Sequence, residues 1–210
     1  MGKLVVQAFL SLDGVMQAPG GPDEDRDGGF PFGGWLFPFA DEAMGEGVTA
    51  SIEEAECFLL GRRTYENFAA HWPRVTDPGA DDAAVAGPLN AKPKFVASRT
   101  LDAADWNNSR LLEGEVADSV PLLKAETDGM ILTQGSSDLI QTLIANDLVD
   151  EYRLWIFPVV LGQGKRLFGD GTIPERLKLL ESSTTSTGAL ACTYAADGKP
   201  EMGSFALEDE

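Results

Sequence analysis

Residues 58–66, with the sequence FLLGRRTYE, constrain the fold of this chain more than any other stretch. An apolar run that ends at Gly61 and passes into a helix-forming segment predicts a buried strand followed at once by a helix. At such a junction the first-turn N–H groups point outward, and the helix dipole favours an anion. Arg62 and Arg63 add donors whose fork geometry suits phosphate. The pattern therefore indicates a phosphate site, with an ordinary turn carrying solvated arginines as the alternative.

Two further strand ends have the same character. The sequence SRT at 98–100 follows one expected strand, and GSS at 135–137 follows another. Because the carboxyl ends of parallel strands lie on one edge of a sheet, we expect the three junctions to form one site. Such a site suits an extended phosphorylated ligand, for example a dinucleotide. A plain helix N-cap at Ser136 or Ser137 is the alternative at the third junction.

Strands and helices alternate along the chain before a final hairpin. Apolar, β-branched runs predict strands at 4–10, 52–60, 94–98, 106–112, 130–133 and 152–161. Helical patterns cover 35–50, 63–71, 116–126 and 138–146, with one more short helix and its linkers in 77–90. Segments 177–185 and 189–195 form a terminal β-hairpin. This order predicts an α/β domain whose mostly parallel sheet gains antiparallel strands at one edge.

The chain contains no internal repeat and no linker, so we expect one domain over 1–198 and an acidic tail over 199–210. Residues 19–34, here called loop 19–34, are rich in Gly, Pro and Asp. Loops of this length inside a compact domain are usually functional or disordered.

Charge and composition exclude several classes of partner and site. The net charge of −18 argues against nucleic acid and against an anionic membrane, since both need a positive field. Two isolated cysteines in apolar runs indicate free thiols and a cytoplasmic protein. The apolar run at the N-terminus is typical of a first strand rather than a signal peptide. With one histidine and no paired cysteines, we expect no metal site.

Chemical groups for proton transfer are less clearly indicated. The carboxylates Asp13, Asp41 and Glu42 could reach a site near the end of the first strand, although most acids in so acidic a chain are solvating charge. The histidine, His71, is better explained as a helix C-terminal residue that interacts with the dipole. The glycines of 162–164 match neither a Rossmann fingerprint nor a P-loop, and they predict a turn.

The motifs in order resemble a known superfamily over nearly the whole chain. They are SLDGVM, LLGRRTYE with AAHWP, VASRTL, WNNSRLL, LTQGSSDLIQTL and LVDEYRLWIFPVVLGQGKRLF. Together they resemble the dihydrofolate-reductase-like superfamily, in the branch related to the C-terminal reductase domain of bifunctional bacterial riboflavin-biosynthesis proteins. The resemblance implies a three-layer α/β/α sandwich around a mixed sheet, NADPH as the hydride donor, and a homodimer.

The resemblance also implies roles for particular residues. The 2′-phosphate and pyrophosphate end of NADPH would meet Gly61, Arg62, Arg63 and Thr64. The adenosine side would meet Ser98 and Arg99, and the pyrophosphate would also meet Gly135, Ser136 and Ser137. The nicotinamide would be flanked by Ala8, Phe9, Asp13, Gly14, Val15 and Met16. The proton donor stays open among Asp13, Asp41, Glu42 and water.

Two departures bear on the substrate. Dihydrofolate reductases have a Gly-Gly pair where this chain has Thr133 and Gln134 before Gly135, and their pterin-binding carboxylate has only Asp41 or Glu42 as candidates here. The H-x-E and paired-cysteine elements of a zinc deaminase are missing, which indicates a stand-alone reductase domain. The expected substrate is a small heterocycle, either 5-amino-6-(5-phosphoribosylamino)uracil or a pterin-like compound. The alternative is a non-catalytic NADP(H)-binding or sensor protein.

A homodimer is also expected from strand 152–161, which is unusually apolar for an outer strand. An unpaired apolar edge is a liability unless another subunit covers it. The alternative is that the terminal hairpin covers this edge within one chain.

Overall fold

In the computed structural model of the chain, residues 1–77, 79 and 82–205 are described. Their strands are β1 (Lys3–Ser11), β2 (Ala55–Gly61), β3 (Lys94–Ala97), β4 (Ser109–Leu111), β5 (Met130–Gln134), β6 (Glu151–Phe157), β7 (Leu177–Thr184) and β8 (Leu190–Ala196). They form one sheet in the order β4–β3–β2–β5–β1–β6–β8–β7. The strands from β4 to β6 in this order run parallel, and β8 is antiparallel to both β6 and β7. The predicted mixed sheet with a terminal hairpin is therefore confirmed.

Helices cover both faces of the sheet, which gives the predicted α/β/α sandwich. They are α1 (Glu42–Glu54), α2 (Arg62–His71), α3 (Ala83–Ala91), α4 (Val116–Glu126) and α5 (Ser137–Ala145). Apolar side chains of α4 and α5 pack on one face, against the even-numbered positions of β1 from Leu4 to Leu10. The other face packs on α1, α2 and α3 through residues such as Ile52, Tyr65 and Leu89. None of the helices in the described part of the chain is long and apolar enough to cross a membrane.

The first helix differs from its predicted position. Instead of spanning 35–50, α1 begins after Asp41, whose carboxylate accepts a hydrogen bond from the Met44 N–H at 3.0 Å. A 3-10 turn with Pro38 at its start precedes this cap. The helix continues to Glu54, so β2 begins at Ala55 rather than at Ile52. The cap and the burial of Ile52 against the sheet decide these boundaries.

The fourth strand is shorter than the predicted 106–112. Trp106 lies outside it, because its indole N–H donates to Asn90 and its backbone N–H donates to the hydroxyl of Tyr65. These bonds hold the residue in the core beside α3, and pairing with β3 begins only at Ser109. The helix predicted in 77–90 is α3, while residues 78, 80 and 81 of that segment lie outside the described residues.

The terminal hairpin covers β6 within the same chain. β8 pairs with β6 from Glu151 to Ile156, so β6 is an interior strand and β7 forms the outer edge. The interpretation of β6 as an exposed edge was wrong, and the alternative of hairpin cover is what the structure contains. Pro158 ends β6 at Phe157, short of the predicted end at residue 161. Of the expected acidic tail, residues 206–210 lie outside the described part.

Candidate functional site

An open cleft of about 1410 Å³ lies along the carboxyl edge of the parallel strands. The ends of β1, β2, β3 and β5 all reach it, as expected for ligand sites in parallel sheets. Most residues expected to hold a cofactor line this cleft: Ala8, Phe9, Met16, Gly61, Arg62, Arg63, Thr64, Ser98, Arg99, Gly135, Ser136 and Ser137. The three junctions that the sequence singled out are therefore brought together in space.

Two of these junctions are tied to each other through Ser136. Its hydroxyl accepts a hydrogen bond from the Gly61 N–H at 2.9 Å and donates one to the Thr64 hydroxyl at 2.8 Å. A Cβ added at Gly61 would lie 3.2 Å from the Ser136 side chain, and one at Gly135 would lie 3.2 Å from the Thr64 oxygen. Gly135 also has a φ of +66°. Both glycines thus allow the ends of β2 and β5 to approach closely.

Helices α2 and α5 present uncapped N-termini next to this tie. Neither Gly61, before α2, nor Ser136, before α5, makes a side-chain cap. The Ser136 hydroxyl is committed to Gly61 and Thr64, so the plain N-cap alternative does not hold for Ser136. First-turn N–H groups and two helix dipoles therefore face the cleft, which is the arrangement that binds phosphate.

The three arginines that line the cleft differ in their binding partners. Arg62 bonds Glu66 at 2.9 Å, as the solvated-arginine alternative suggested, and its Nη1 donates to the Thr100 hydroxyl at 2.6 Å. Arg63 is bound by two carboxylates of loop 19–34, Asp25 and Asp27. Arg99 is exposed and has no ion-pair or hydrogen-bond partner in the described part of the chain. The arginine that is free to meet an anion is therefore Arg99.

The first part of loop 19–34, residues 19–25, lines the cleft, and the loop is held there by charge. Asp25 and Asp27 bind both Arg63, at the start of α2, and Lys165, which follows β6, with both lysine contacts at 2.8 Å. Hydrogen bonds from Arg63 and then Lys165 lower the pKa of Asp27 to about 2. Glu24 of the same loop accepts bonds from the N–H groups of Gly20 and Gly21, while burial raises its pKa. The loop is thus folded on itself and fastened at two places.

Asp13 does not line the cleft. Its carboxylate accepts hydrogen bonds from the Ser11 hydroxyl at 2.7 Å and from the N–H groups of Leu161 and Gly162 at 3.0 and 2.8 Å. These bonds outweigh the effect of burial and lower the pKa of Asp13 to about 2. Asp13 is therefore ionised at neutral pH and lies outside the cleft, so it fastens the turn after β1 and is poorly suited to donate a proton.

The other two candidate acids also lie outside the cleft. Asp41 caps α1 and accepts a hydrogen bond from the Ser186 hydroxyl at 2.7 Å, which lowers its pKa. Glu42 is exposed in the first turn of α1. The sequence placed all three carboxylates near the end of β1, whereas in the structure Asp13 and Asp41 are bound by groups outside the cleft and Glu42 is exposed on α1.

Gly14 and Val15 likewise do not line the cleft; they belong to the turn that leads from β1 to Met16, which does. Val15 is fully buried and forms an isolated bridge with Arg166, and Gly14 has a φ of +80° in the turn after β1. Val15 packs with Phe30 against the backbone at Gly164, where an added Cβ would lie 2.6 Å from Val15. The expected turn at 162–164 therefore packs against Val15 and helps to fix the position of the segment that leads to Met16.

Two glutamines at the site were not recognised as functional from the sequence. Gln134 ends β5 and lines the cleft, and Gln7 lies directly opposite it in β1. Gln7 is fully buried, and neither its amide nitrogen nor its oxygen has a hydrogen-bond partner. The signals were present, because Gln7 is the polar exception in an apolar strand and Gln134 departs from a Gly-Gly pair.

Comparisons with known proteins agree on one family. The model of the RibD C-terminal domain matches residues 2–191. Uncharacterized protein YyaP of Bacillus subtilis (strain 168) is 32% identical over 196 residues, which cover 93% of this chain and 96% of that protein. Uncharacterized protein YwjB of the same organism is 24% identical over 177 residues, or 84% of this chain and 88% of that protein.

Solved structures share the fold at lower identity. A putative riboflavin biosynthesis protein from Shewanella sp. PV-4 is 22% identical with a TM-score of 0.65, over 93% of this chain and 99% of that one. A Thermotoga maritima diaminohydroxyphosphoribosylaminopyrimidine deaminase/5-amino-6-(5-phosphoribosylamino)uracil reductase is 12% identical with a TM-score of 0.60, over 93% of this chain and 57% of that one.

Proposed function

We propose that this chain, which belongs to the RibD C-terminal domain family of riboflavin-pathway-type reductases, uses NADPH to reduce a small heterocyclic compound in the cleft. The candidate substrates are 5-amino-6-(5-phosphoribosylamino)uracil, after which the Thermotoga maritima reductase is named, and a pterin-like compound. The observation that carries the proposal is the junction at which Ser136 ties Gly61 to Thr64 beside two uncapped helix N-termini.

The donor set around this junction fits a dinucleotide phosphate. The N–H groups of the first turns of α2 and α5 would hold the pyrophosphate, because glycine at 61 and 135 lets the backbone approach. Arg99, which has no partner in the described residues, and Arg62 would meet the 2′-phosphate with paired donors. Ser98 would lie on the adenosine side, and Ala8, Phe9 and Met16 would form the apolar wall beside the nicotinamide.

When bound, NADPH supplies a hydride, and the residues of this chain supply position and surroundings. The strand ends would fix the ring against the β1 wall, where Phe9 and Met16 keep water from one side. Loop 19–34 would cover the bound ligand, since Asp25 and Asp27 already fasten the loop to Arg63 and Lys165 at the cleft. Because Asp13, Asp41 and Glu42 all lie outside the cleft, water is the remaining proton donor among those expected from the sequence, beside the other acids that line the cleft, such as Glu24.

The experiment is NADPH oxidation followed at 340 nm with 5-amino-6-(5-phosphoribosylamino)uracil, dihydropterins and simple pteridines in parallel. We expect turnover with at least one of these compounds, and a strong loss in Gly135→Val, which removes the close approach at the junction. The matched control is Gly171→Ala, at another glycine with positive φ but outside the cleft, which should leave turnover unchanged. Turnover that survives Gly135→Val would contradict the assignment of this junction.

A non-catalytic NADP(H)-binding or sensor protein is the second candidate. The observation that favours it is the placement of Asp13, Asp41 and Glu42 outside the cleft, which leaves the proton transfer without a carboxylate from that set. Single-turnover mixing of NADPH-loaded protein with each compound separates the two functions. Tight NADPH binding without oxidation by any compound would favour the sensor, and one oxidised compound would favour the reductase.

A further inference from the structure

The side chain of Gln7 is a polar group in the core whose hydrogen bonds are not satisfied. It has no exposed surface, and both its amide nitrogen and its carbonyl oxygen lack a hydrogen-bond partner. A buried amide loses its hydrogen bonds to water on folding, and without compensation this destabilises the protein. Most buried polar groups in proteins are satisfied, so an unsatisfied one needs an explanation.

Gln7 lies on the face of the sheet that α1 covers, immediately beside the cleft. Its neighbours on that face of β1 are Val5, which packs with Ile52 of α1, and Phe9, which lines the cleft. On the next strand, Gln134 is directly opposite Gln7 and also lines the cleft. The Gln134 side chain, like that of Gln7, has no hydrogen-bond partner in the described part of the chain.

The neighbour on the other side cannot satisfy Gln7. Arg153 of β6 is paired in register with Gln7, but its guanidinium binds Glu54 at 2.8 Å, Glu151 at 2.9 Å and the Ser51 hydroxyl at 3.1 Å. Its donors are thus occupied by residues of α1 and β6. Two unpaired carboxamides remain side by side, one at the cleft wall and one just behind it.

We propose that Gln7 and Gln134 together read an uncharged lactam edge of the substrate, that is, a ring N–H next to a C=O. The inference rests on the proposed function in placing a substrate in this cleft, and it adds the chemical class that the cleft selects. Each carboxamide offers an acceptor oxygen and a donor nitrogen, which match such an edge in complementary order. A charged group at this position would be buried without a counter-charge, so the pair selects a neutral ring.

The surrounding wall is suited to a flat ring. Phe9, Met16, Leu36 and Met44 contribute apolar surface at this end of the cleft. Gln134 and Met44 are only partly buried, and a change of their rotamers admits the ring edge to Gln7. A ligand that lacks the N–H would leave the two carboxamides buried and still unpaired, which is the situation in which a polar site discriminates strongly.

The test uses lumazine as the probe and 1,3-dimethyllumazine as the matched ligand, which keeps the ring and carbonyls but has no ring N–H at those positions. Binding is measured by calorimetry with and without NADPH. Wild-type protein should bind lumazine at least 10-fold more tightly than the dimethyl compound. In Gln7→Met and in Gln134→Met, lumazine affinity should fall about 10- to 100-fold, while affinity for the dimethyl compound stays the same.

A matched control variant comes from the opposite face of β5. Thr133 is fully buried, and its hydroxyl also lacks a partner. Because successive side chains of a strand lie on opposite faces, Thr133 lies on the face of the sheet that α1 does not cover. Both Gln7→Met and Thr133→Val should raise the Tm of the ligand-free protein by about 2–6 °C, because each removes an unsatisfied polar group. Only Gln7→Met should weaken lumazine binding.

The outcomes separate this inference from the proposed function. Equal affinity of the wild type for the two lumazines, or unchanged lumazine affinity in Gln7→Met, overturns the carboxamide pair. A Tm that falls in Gln7→Met also counts against it, since a structural role would then explain the residue. Discrimination between the lumazines without any NADPH binding would keep the pair and overturn the reductase; NADPH binding without discrimination would do the reverse.

Discussion

Lys94 is a charged side chain with no exposed surface, outside the cleft. Its ammonium donates to the carbonyls of Leu89 at 2.7 Å and Lys92 at 2.8 Å, and it lies 4.4 Å from the centre of the Trp106 ring. It therefore caps the C-terminal end of α3 from within the core. Burial lowers the pKa of Lys94 to about 8.

This lowered pKa predicts how stability depends on pH. Below pH 8 the lysine is charged in both states, so the folded protein bears the full cost of burying the charge. Between pH 8 and 10.5 the unfolded chain still binds the proton that the folded protein has lost, so stability rises with pH. We expect a gain of about 1–3 kcal/mol over that window, measured by urea denaturation at pH 7.5 and 10.

In Lys94→Met this rise should disappear. Lys92→Met is the matched control, since Lys92 is less buried and donates to the carbonyls at the end of α1, including those of Ile52 and Ala55. The control should keep the rise. An identical pH dependence in wild type and Lys94→Met would contradict the prediction.

Single arginines decide the cofactor preference that we propose. We predict that Arg99→Ala and Arg62→Ala each lower NADPH affinity about 10- to 100-fold and leave NADH affinity unchanged. Arg63→Ala should have a smaller effect, because Asp25 and Asp27 already occupy its guanidinium. Dissociation constants for both cofactors would be measured by fluorescence. Arg74→Ala, at an exposed arginine outside the cleft, serves as the control, and equal NADPH and NADH affinity in the wild type would refute the preference.

How much of the site could be predicted depends on how local each signal is. Gly61 and Gly135 were predicted to lie at one edge because each follows its strand directly in sequence. The bond of Arg63 to Asp25 joins residues from separate segments, and its formation depends on the path of loop 19–34, which no periodicity encodes. Asp13 was misplaced for a related reason: its partners Leu161 and Gly162 are brought to it only by the tertiary fold.

Among the structural elements, loop 19–34 affects the cleft through the ion pairs of its carboxylates with Arg63 and Lys165. Burial raises the pKa of Asp25, but the bonds with Lys165 and Arg63 outweigh it and lower that pKa overall. Arg63 and Lys165 also lower the pKa of Asp27, to about 2, so both carboxylates are ionised at neutral pH. The contacts are therefore intact throughout the neutral range. Since they occupy Arg63 at the start of α2, the loop and an incoming phosphate compete for the same guanidinium.

We predict that the double variant Asp25→Asn/Asp27→Asn binds NADPH about 3- to 10-fold more tightly than the wild type, because Arg63 becomes free and two nearby negative charges are lost. The gain should shrink at 0.5 M salt. Asp23→Asn is the control, since Asp23 belongs to the same loop but its ion pair in the described part of the chain is with Arg26, not with Arg63 or Lys165. Weaker NADPH binding in the double variant would show that the fastened loop is needed for binding.

At the scale of elements, the sequence predicted the long, strongly patterned segments best. β1, β5, α4 and α5 lie within a residue or two of their expected positions. α1 did not, because Gly45 and Gly47 weaken its pattern and its start depends on the cap at Asp41. The glycine at 47 has a packing reason that only the fold reveals: an added Cβ would lie 2.6 Å from the Trp155 ring.

For the whole molecule, the outer edge of the sheet is the point at which a second subunit could join. β7 has no neighbour on its outer side among the described strands, and Leu179 and Leu180 are each 50% exposed. We propose that two copies associate through this edge and not through β6, which the hairpin covers. Light scattering should return about twice 22.5 kDa at micromolar concentration.

Leu180→Lys should shift this mass toward that of one chain, because it places a charge in the contact. Leu122→Lys is the control, since Leu122 is also an exposed leucine but lies on α4, whose apolar side chains pack on the face of the sheet together with β1. A wild-type mass of 22.5 kDa would decide against the dimer.

The central position of β1 also governs when the protein can fold during its synthesis. Lys3 is synthesised long before its partner in β5, Met130, and the opposite edge of β1 stays unpaired until β6 has been made. At roughly 5–20 residues per second, the first strand stays unpaired for about ten seconds while the chain grows. The nascent N-terminal segment, apolar and without its neighbours, is therefore a natural client for chaperones that bind emerging chains.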